Sequence, residues 1–145
     1  MSTISSTLLF FIQLAKAKTQ VSRRFDNRLG FFGLGFSDFQ ILYHLSQAPE
    51  EKLRRVDLAE KVGLTASGIT RLLLPMEKIG LIKRESSEHD ARISYVALAP
   101  GGKRLWNDSL EAAEILAEDL LPETKMKKRE ELTELLIELG KTIVY

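Results

Sequence analysis

Three side chains on one face of a predicted helix could bond to the edges of base pairs. Ser67, Thr70 and Arg71 follow Thr65, whose hydroxyl can accept from an unpaired backbone N–H at a helix start. Short hydroxyl side chains let a helix approach the floor of a DNA major groove, and an arginine can bond both acceptors of guanine. The pattern fits an ordinary amphipathic surface helix equally well, so these residues alone leave both interpretations open.

The neighbouring elements would position this helix. Arg55–Val62 is predicted to be a short helix that ends at Gly63, because glycine is favoured just after a helix end. A three-residue turn then leads into the helix of Ser67, and two helices joined in this way predict a helix-turn-helix. The second helix is predicted to bury an apolar face formed by Ile69, Leu72, Leu73 and Met76.

Two strands are predicted directly after the second helix. Residues 81–85 and 92–98 flank the polar loop 86–91, and the second strand is rich in β-branched and aromatic side chains. A strand pair in this position would form a wing, with Arg92 near its tip.

Composition limits the function further. The chain has 145 residues, of which 44% are hydrophobic and 28% charged, as expected for one globular domain with a substantial core. Its formal net charge is +1, so any nucleic-acid interface must be a local patch. The absence of cysteine excludes disulfides and thiolate nucleophiles. With only two histidines, no metal site and no cofactor are expected.

The amino-terminal segment contains a short apolar run, residues 8–12. It is too short to span a membrane, and no positive charge precedes it as in a signal peptide. We therefore expect a cytoplasmic protein with no membrane segment. Helical spacing instead predicts a long amphipathic helix that ends near Leu29 and Gly30. Its apolar stripe is formed by Ile4, Leu8, Phe11, Ile12 and Ala15.

A glycine-rich joint, residues 30–36, follows this helix. It lacks the lysine and the strand-to-helix setting of a phosphate-binding loop. Ser37 and Gln40 match a capping box for the next helix, which is predicted to stop before Pro49. Residues 50–54 are predicted to form a charged connector.

The carboxy-terminal third is predicted to be helical. Pro100 suits a first helical position, and Leu121 and Pro122 interrupt the helix that it starts. A last helix then carries a stripe of large apolar side chains, which requires a partner surface. That stripe is formed by Leu132, Leu135, Leu136, Leu139 and Ile143.

This order of elements resembles the MarR family of winged-helix transcriptional regulators over nearly the whole chain. The run Glu-Lys-x-Gly-Leu-x-x-Arg (77–84) together with Asp-x-Arg (90–92) is the specific part. Leu74 and Pro75 stand where the family often has Asp-Arg, and Pro75 is expected to kink or loosen the helix. Ala99 replaces the usual threonine cap. The matching segments are LAEKVGL (58–64), SGITR (67–71), MEKIGLIKR (76–84), DAR (90–92) and LAPGG (98–102).

The resemblance implies a mainly α fold, a winged helix-turn-helix with a two-stranded β wing, flanked by N- and C-terminal dimerisation helices. Residues 1–145 would form one domain, in which 31–99 bind DNA and both 1–30 and 100–145 dimerise. The implied dimer interface includes Phe11, Leu116, Leu132, Leu136 and Leu139.

The resemblance also implies roles for the polar residues. Arg92 would probe the minor groove, where narrow A·T-rich tracts attract arginine, and Asp90 would orient it through an ion pair. Lys83 and Arg84 would either bind phosphate or lie on a solvated strand. The implied DNA contacts are Ser67, Thr70, Arg71, Lys83, Arg84 and Arg92.

The function implied is that of a homodimer that binds pseudo-palindromic duplex operators as a repressor, with a small aromatic acid as a candidate effector. The alternative is a winged helix used for protein contacts without sequence-specific DNA binding, in which Arg71 and Arg92 would be dispensable. An enzyme is not expected, because no nucleophile or phosphate-loop motif occurs. The candidate effector pocket is formed by Phe10, Arg24, Phe36, Phe39, Tyr43 and Trp106.

Overall fold

A computed structural model describes residues 3–123 and 128–141 as a mainly helical fold with one small antiparallel sheet. The expected fold class is confirmed, and the sheet has one strand more than predicted. The helices are α1 (Ser6–Leu29), α2 (Phe36–Gln47), α3 (Arg55–Val62), α4 (Ala66–Lys78), α5 (Pro100–Leu120) and α6 (Arg129–Leu139). The strands are β1 (Lys52–Arg54), β2 (Ile82–Ser86) and β3 (Ser94–Leu98).

The long first helix is confirmed. The Ser5 hydroxyl accepts from the Leu8 N–H at 3.0 Å and caps its start. Only its last turns enter the core, through Phe25 and Leu29. Its first half leaves a group of large apolar side chains exposed, namely Ile4, Leu8, Leu9, Phe10, Phe11 and Ile12.

The start of α2 differs from the prediction. The N-cap is Gly35 rather than Ser37, and the Asp38 carboxylate, not Gln40, accepts from the backbone N–H of the cap at 2.8 Å. A second carboxylate, Asp26 of α1, accepts from the Phe36 N–H at 2.7 Å. The helix therefore begins where two acids satisfy its unpaired donors and tie it to α1. Burial, together with the nearby charge of Asp26, raises the pKa of Asp38.

The helix-turn-helix is confirmed. Gly63 ends α3 in the left-handed region at φ 77°, which glycine adopts without strain. The Thr65 hydroxyl accepts from the Gly68 N–H at 3.1 Å and caps α4. The helix continues through Pro75 to Lys78, although Pro75 cannot donate a backbone hydrogen bond within it.

The sheet contains a third strand that the sequence analysis assigned to a connector. The strand order is β1-β3-β2, with all neighbours antiparallel, and Leu53 of β1 pairs with Val96 of β3. The turn before β1 holds Glu50 and Glu51 at positive φ, 58° and 55°, a conformation unfavourable for these residues. Pairing with β3 thus positions a segment whose own composition does not favour a strand.

One core connects α1 and α5 with the winged region. The end of α1, all of α2, the inner faces of α3 and α4, and α5 contribute to it. On α4, Ile69, Leu73 and Met76 are buried as predicted, and Leu72 is partly buried. The orientation of α4 is therefore fixed by apolar packing along its full inner face. The largest fully buried apolar side chains are Leu29, Ile41, Leu42, Leu45, Leu58 and Ile69.

The start of α5 lies directly on the backbone that leaves α4. The Ala99 N–H donates to the Leu81 carbonyl at 3.0 Å. A methyl group at Gly102 would overlap that carbonyl oxygen, and one at Gly101 would lie 2.8 Å from the Gly80 carbonyl oxygen. Only glycine therefore allows α5 to come this close to the turn between α4 and β2.

The last helix packs no residue into the core. Every side chain of α6 is exposed, including the leucines of the predicted stripe. Ile143, which was predicted to extend that stripe, lies outside the described residues. Within residues 3–123 and 128–141, no helix combines the length and the apolar character that a membrane crossing requires.

The contact at Gly102 generates a stability prediction. Gly102→Ala should lower the free energy of unfolding by about 1–3 kcal/mol, the usual cost of overpacking a tight site, because the methyl group cannot coexist with the Leu81 carbonyl. Gly30→Ala is the matched control, since Gly30 has helical φ and open space around its Cα. Denaturant unfolding at equal protomer concentration measures both variants. Equal stability of the two would contradict the contact.

Candidate nucleic-acid interface

The polar face of α4 is exposed as a continuous strip. Ser67 and Arg71 are exposed and Thr70 is half-buried. The Ser67 hydroxyl lies 3.2 Å from the Thr65 hydroxyl, so the start of the strip is ordered by the cap itself. With about 100° per residue, Ser67, Thr70 and Arg71 fall within an arc of about 100° around the helix. They can therefore reach one surface together.

Arg55, the first residue of α3, contacts this surface, although its charged segment suggests a solvent-exposed residue with at most a contact to the DNA backbone. Its guanidinium donates to the Thr70 hydroxyl at 3.4 Å, across the helix-turn-helix. The contact places a second cation against Thr70 of the strip. The sequence indicates this role of Arg55 only by its position at the start of α3, opposite the polar face of α4. The two paired residues are fifteen positions apart, so no local sequence pattern predicts their contact.

The tip of the wing holds Arg92 in a defined geometry. Its guanidinium donates to both carboxylate oxygens of Asp90, each at 3.2 Å, and its backbone N–H donates to the same carboxylate at 3.0 Å. These hydrogen bonds hold the pKa of Asp90 below its ordinary value. The Arg92 side chain nevertheless stays 91% exposed, so its remaining donors face solvent. The expected ion pair is thus present.

The two basic residues of β2 differ in their surroundings. Lys83 is exposed, whereas Arg84 lies 3.6 Å from the Glu77 carboxylate of α4. Because successive residues of a strand project to opposite faces, these two cations cannot both face one surface. The ion pair directs Arg84 towards α4 although its side chain is 58% exposed, and Lys83 is exposed on the other face of the strand.

Lys52, in the segment predicted to be a charged connector, is occupied by contacts within the chain. Its ammonium group lies 3.1 Å from Glu50, 3.5 Å from Glu85 and 5.0 Å from the centre of the Tyr95 ring. The hydrogen bond to Glu50 and the two nearby carboxylates raise the pKa of Lys52. This lysine ties β1 to β2 and is held away from any phosphate.

Four of the six candidate pocket residues form a chain of ring contacts. Phe36 is 6.4 Å from Phe39, Phe39 is 4.8 Å from Trp106, and Tyr43 is 5.8 Å from Trp106. These rings fill space between α2 and α5 by contacting each other. Phe10 is not part of this chain of ring contacts, because its ring packs on Phe11. At 1.5 Å per residue, Phe10 lies about 22 Å from Phe25 along the axis of α1.

The sixth candidate, Arg24, lines a separate cavity of about 510 Å³ between α1 and α5. The other lining residues are Asn27, Arg28, Phe31 and Leu116. Phe31 is 89% exposed, so an aromatic ring and two guanidinium groups border open space here.

The candidate dimer residues are also divided. Phe11, Leu132, Leu136 and Leu139 are exposed, whereas Leu116 is buried among residues of its own chain. Leu116 is thus unavailable to a second subunit. Among the described residues there is no group of three or more His, Cys, Asp or Glu that could hold a metal ion.

Comparisons with known proteins agree with this geometry. The model for the MarR family matches residues 32–93. The chain is 30% identical to the transcriptional regulator BldR from Sulfolobus solfataricus, whose crystal structure superposes with a TM-score of 0.82 over 96% of this chain and 97% of BldR.

Two further proteins are similar. PapX of Escherichia coli, an HTH-type transcriptional regulator, is 28% identical over 63% of this chain and 68% of PapX. Sco3205 of Streptomyces coelicolor, a MarR family regulator crystallised with DNA, superposes with a TM-score of 0.83 over 96% of this chain and 89% of Sco3205. At 17% identity, that second likeness concerns the fold alone.

Proposed function

The chain belongs to the MarR family of winged-helix transcriptional regulators, and we propose that it binds pseudo-palindromic duplex DNA as a homodimer and represses transcription. It is a regulator and not an enzyme. The observation that carries the DNA proposal is that both the polar strip of α4 and the guanidinium of Arg92 at the wing tip are exposed.

The two cations have different tasks in this proposal. Arg71 enters the major groove with Ser67 and Thr70, where its planar fork can bond both acceptors of a guanine. Arg92, held by Asp90 at the wing tip, enters the adjacent minor groove and responds to its width. Lys83 and Arg55 are suited to phosphate contacts that fix the register on the duplex.

The dimer proposal rests on apolar surface that the chain leaves uncovered. The first half of α1 and all of α6 each expose a group of large apolar side chains, and such groups often mark interaction surfaces. We propose that these faces pair between two subunits. Two α4 helices would then meet two half-sites about one helical turn of DNA apart, which explains a pseudo-palindromic target.

The cavity beside Arg24 favours regulation by a small aromatic acid. Arg24 and Arg28 can bind a carboxylate, and the exposed Phe31 can stack on a ring. Because α1 and α5 belong to the proposed dimer helices, a ligand between them could bias their arrangement, provided that it binds the two arrangements with different affinity. This cavity fits an effector better than the ring contacts around Trp106 do.

Substitution of the two arginines tests DNA reading. Arg71→Ala should cost about 1–3 kcal/mol of specific binding and relax the preference at one position of each half-site. Arg92→Ala should weaken binding most on A·T-rich flanks. Fluorescence anisotropy with duplexes recovered by in vitro selection, at one fixed salt concentration, measures both. Lys18→Ala on α1 is the control. Unchanged affinity in both arginine variants would instead support the protein-contact alternative.

Charges placed on α6 test the dimer. Leu136→Glu combined with Leu139→Glu should convert a dimer into monomers and abolish tight DNA binding, because each leucine contributes roughly 1.5–3 kcal/mol when buried. Sedimentation velocity at micromolar concentration gives the mass. The control is Glu130→Gln combined with Glu134→Gln on the same helix. A monomeric wild type would refute the proposed assembly.

Titration with salicylate and benzoate tests the effector cavity. Calorimetry should show binding to the wild type that Arg24→Gln weakens at least tenfold, and operator affinity should fall as the acid binds. The same titration of Lys18→Gln, which removes a charge elsewhere on α1, should match the wild type. Binding with unchanged operator affinity would remove the regulatory role, and no binding of either acid would remove the site.

A further inference from the structure

One large apolar side chain lies within the polar strip of α4. Leu74 projects about 20° around the helix axis from Ser67 and about 60° from Arg71, so it falls inside the arc that the polar residues define. Its side chain is 52% exposed. It points away from Ile69 and Met76, which are buried on the opposite face.

The surroundings of Leu74 are mainly apolar, and the carboxylate that borders them, Glu77, is paired with a cation. Pro75, exposed beside it, carries no N–H, and the two residues border open surface space together with Glu77 and Lys78. The Glu77 carboxylate pairs with Arg84 at 3.6 Å. A duplex lying on the strip would therefore meet hydrocarbon at this point, flanked by Arg71 and Lys78.

We propose that Leu74 reads the C5-methyl group of a pyrimidine and so specifies a thymine next to the base contacted by Arg71. Among the unmodified bases only thymine presents a methyl group in the major groove, and an apolar side chain against it removes hydrocarbon surface from water. This inference rests on the proposed DNA binding by α4.

Removal of single methyl groups from the DNA tests the contact. The full-length protein is used with a duplex obtained by in vitro selection, in which each thymine in turn is replaced by deoxyuridine. At one position of each half-site the wild type should lose affinity about three- to tenfold. Leu74→Ala should bind the parent duplex more weakly and show no loss at that position. Leu74→Met should retain the loss, because its side chain still reaches a methyl group.

Ile79→Ala is the matched control. Ile79 is 68% exposed on the same helix end, but it projects about 140° away from Leu74 and should leave the deoxyuridine profile unchanged. Circular dichroism checks that each variant is folded. A wild type that binds a selected duplex yet tolerates deoxyuridine at every position, or a loss that persists in Leu74→Ala, would overturn the methyl contact alone. A wild type that selects no duplex would overturn the proposed function as well.

Discussion

The close approach of two backbones at the start of α5 sets the geometry of the molecule. Gly101 and Gly102 lie against the carbonyl groups of Gly80 and Leu81, immediately after α4 ends, and the Ala99 N–H bonds to one of them. The start of α5 and the backbone that leaves α4 therefore share a fixed contact that has no side chain in between. Any shift of α5 must carry the end of α4 and the start of β2 with it. This is how a dimer made through the outer helices could set the distance between two α4 helices.

The features predicted correctly from the sequence are those determined by interactions between residues close together in the chain. Thr65 as a cap, Gly63 after a helix and Pro100 at a first turn each act within four residues, so pattern and structure agree. The pairing of Asp90 with Arg92, two residues apart, was accessible for the same reason. Periodicity likewise identified the buried face of α4, because its apolar residues repeat at helical intervals.

The errors arose where distant residues decide the outcome. Two helix starts compete before α2, one at Ser37 with Gln40 and one at Gly35 with Asp38. The carboxylate of Asp26, ten residues before Phe36, accepts from the Phe36 N–H and favours the start at Gly35. The strand β1 exists because β3 offers an unpaired edge, although Lys52 and Arg54 have no strand preference of their own. At the candidate site, the sequence indicated which polar side chains the site contains. Two contacts there join different elements: Arg55 donates to Thr70, and Arg84 pairs with Glu77. The spacing of these residues in the sequence does not predict either contact.

These cross-element pairs also explain how a chain of net charge +1 could recognise DNA. Acidic residues pair with several of the basic ones near α4 and the wing: Glu77 with Arg84, and Glu50 and Glu85 with Lys52. Within residues 3–123 and 128–141, no ion pair occupies Arg71, and Arg92 remains exposed despite Asp90. Non-specific affinity grows with the number of phosphates neutralised, so pairing Lys52 and Arg84 with acids limits attachment to arbitrary sequence. Recognition would then depend mainly on contacts to base edges and groove shape, which favours discrimination between sites over tight binding to all of them.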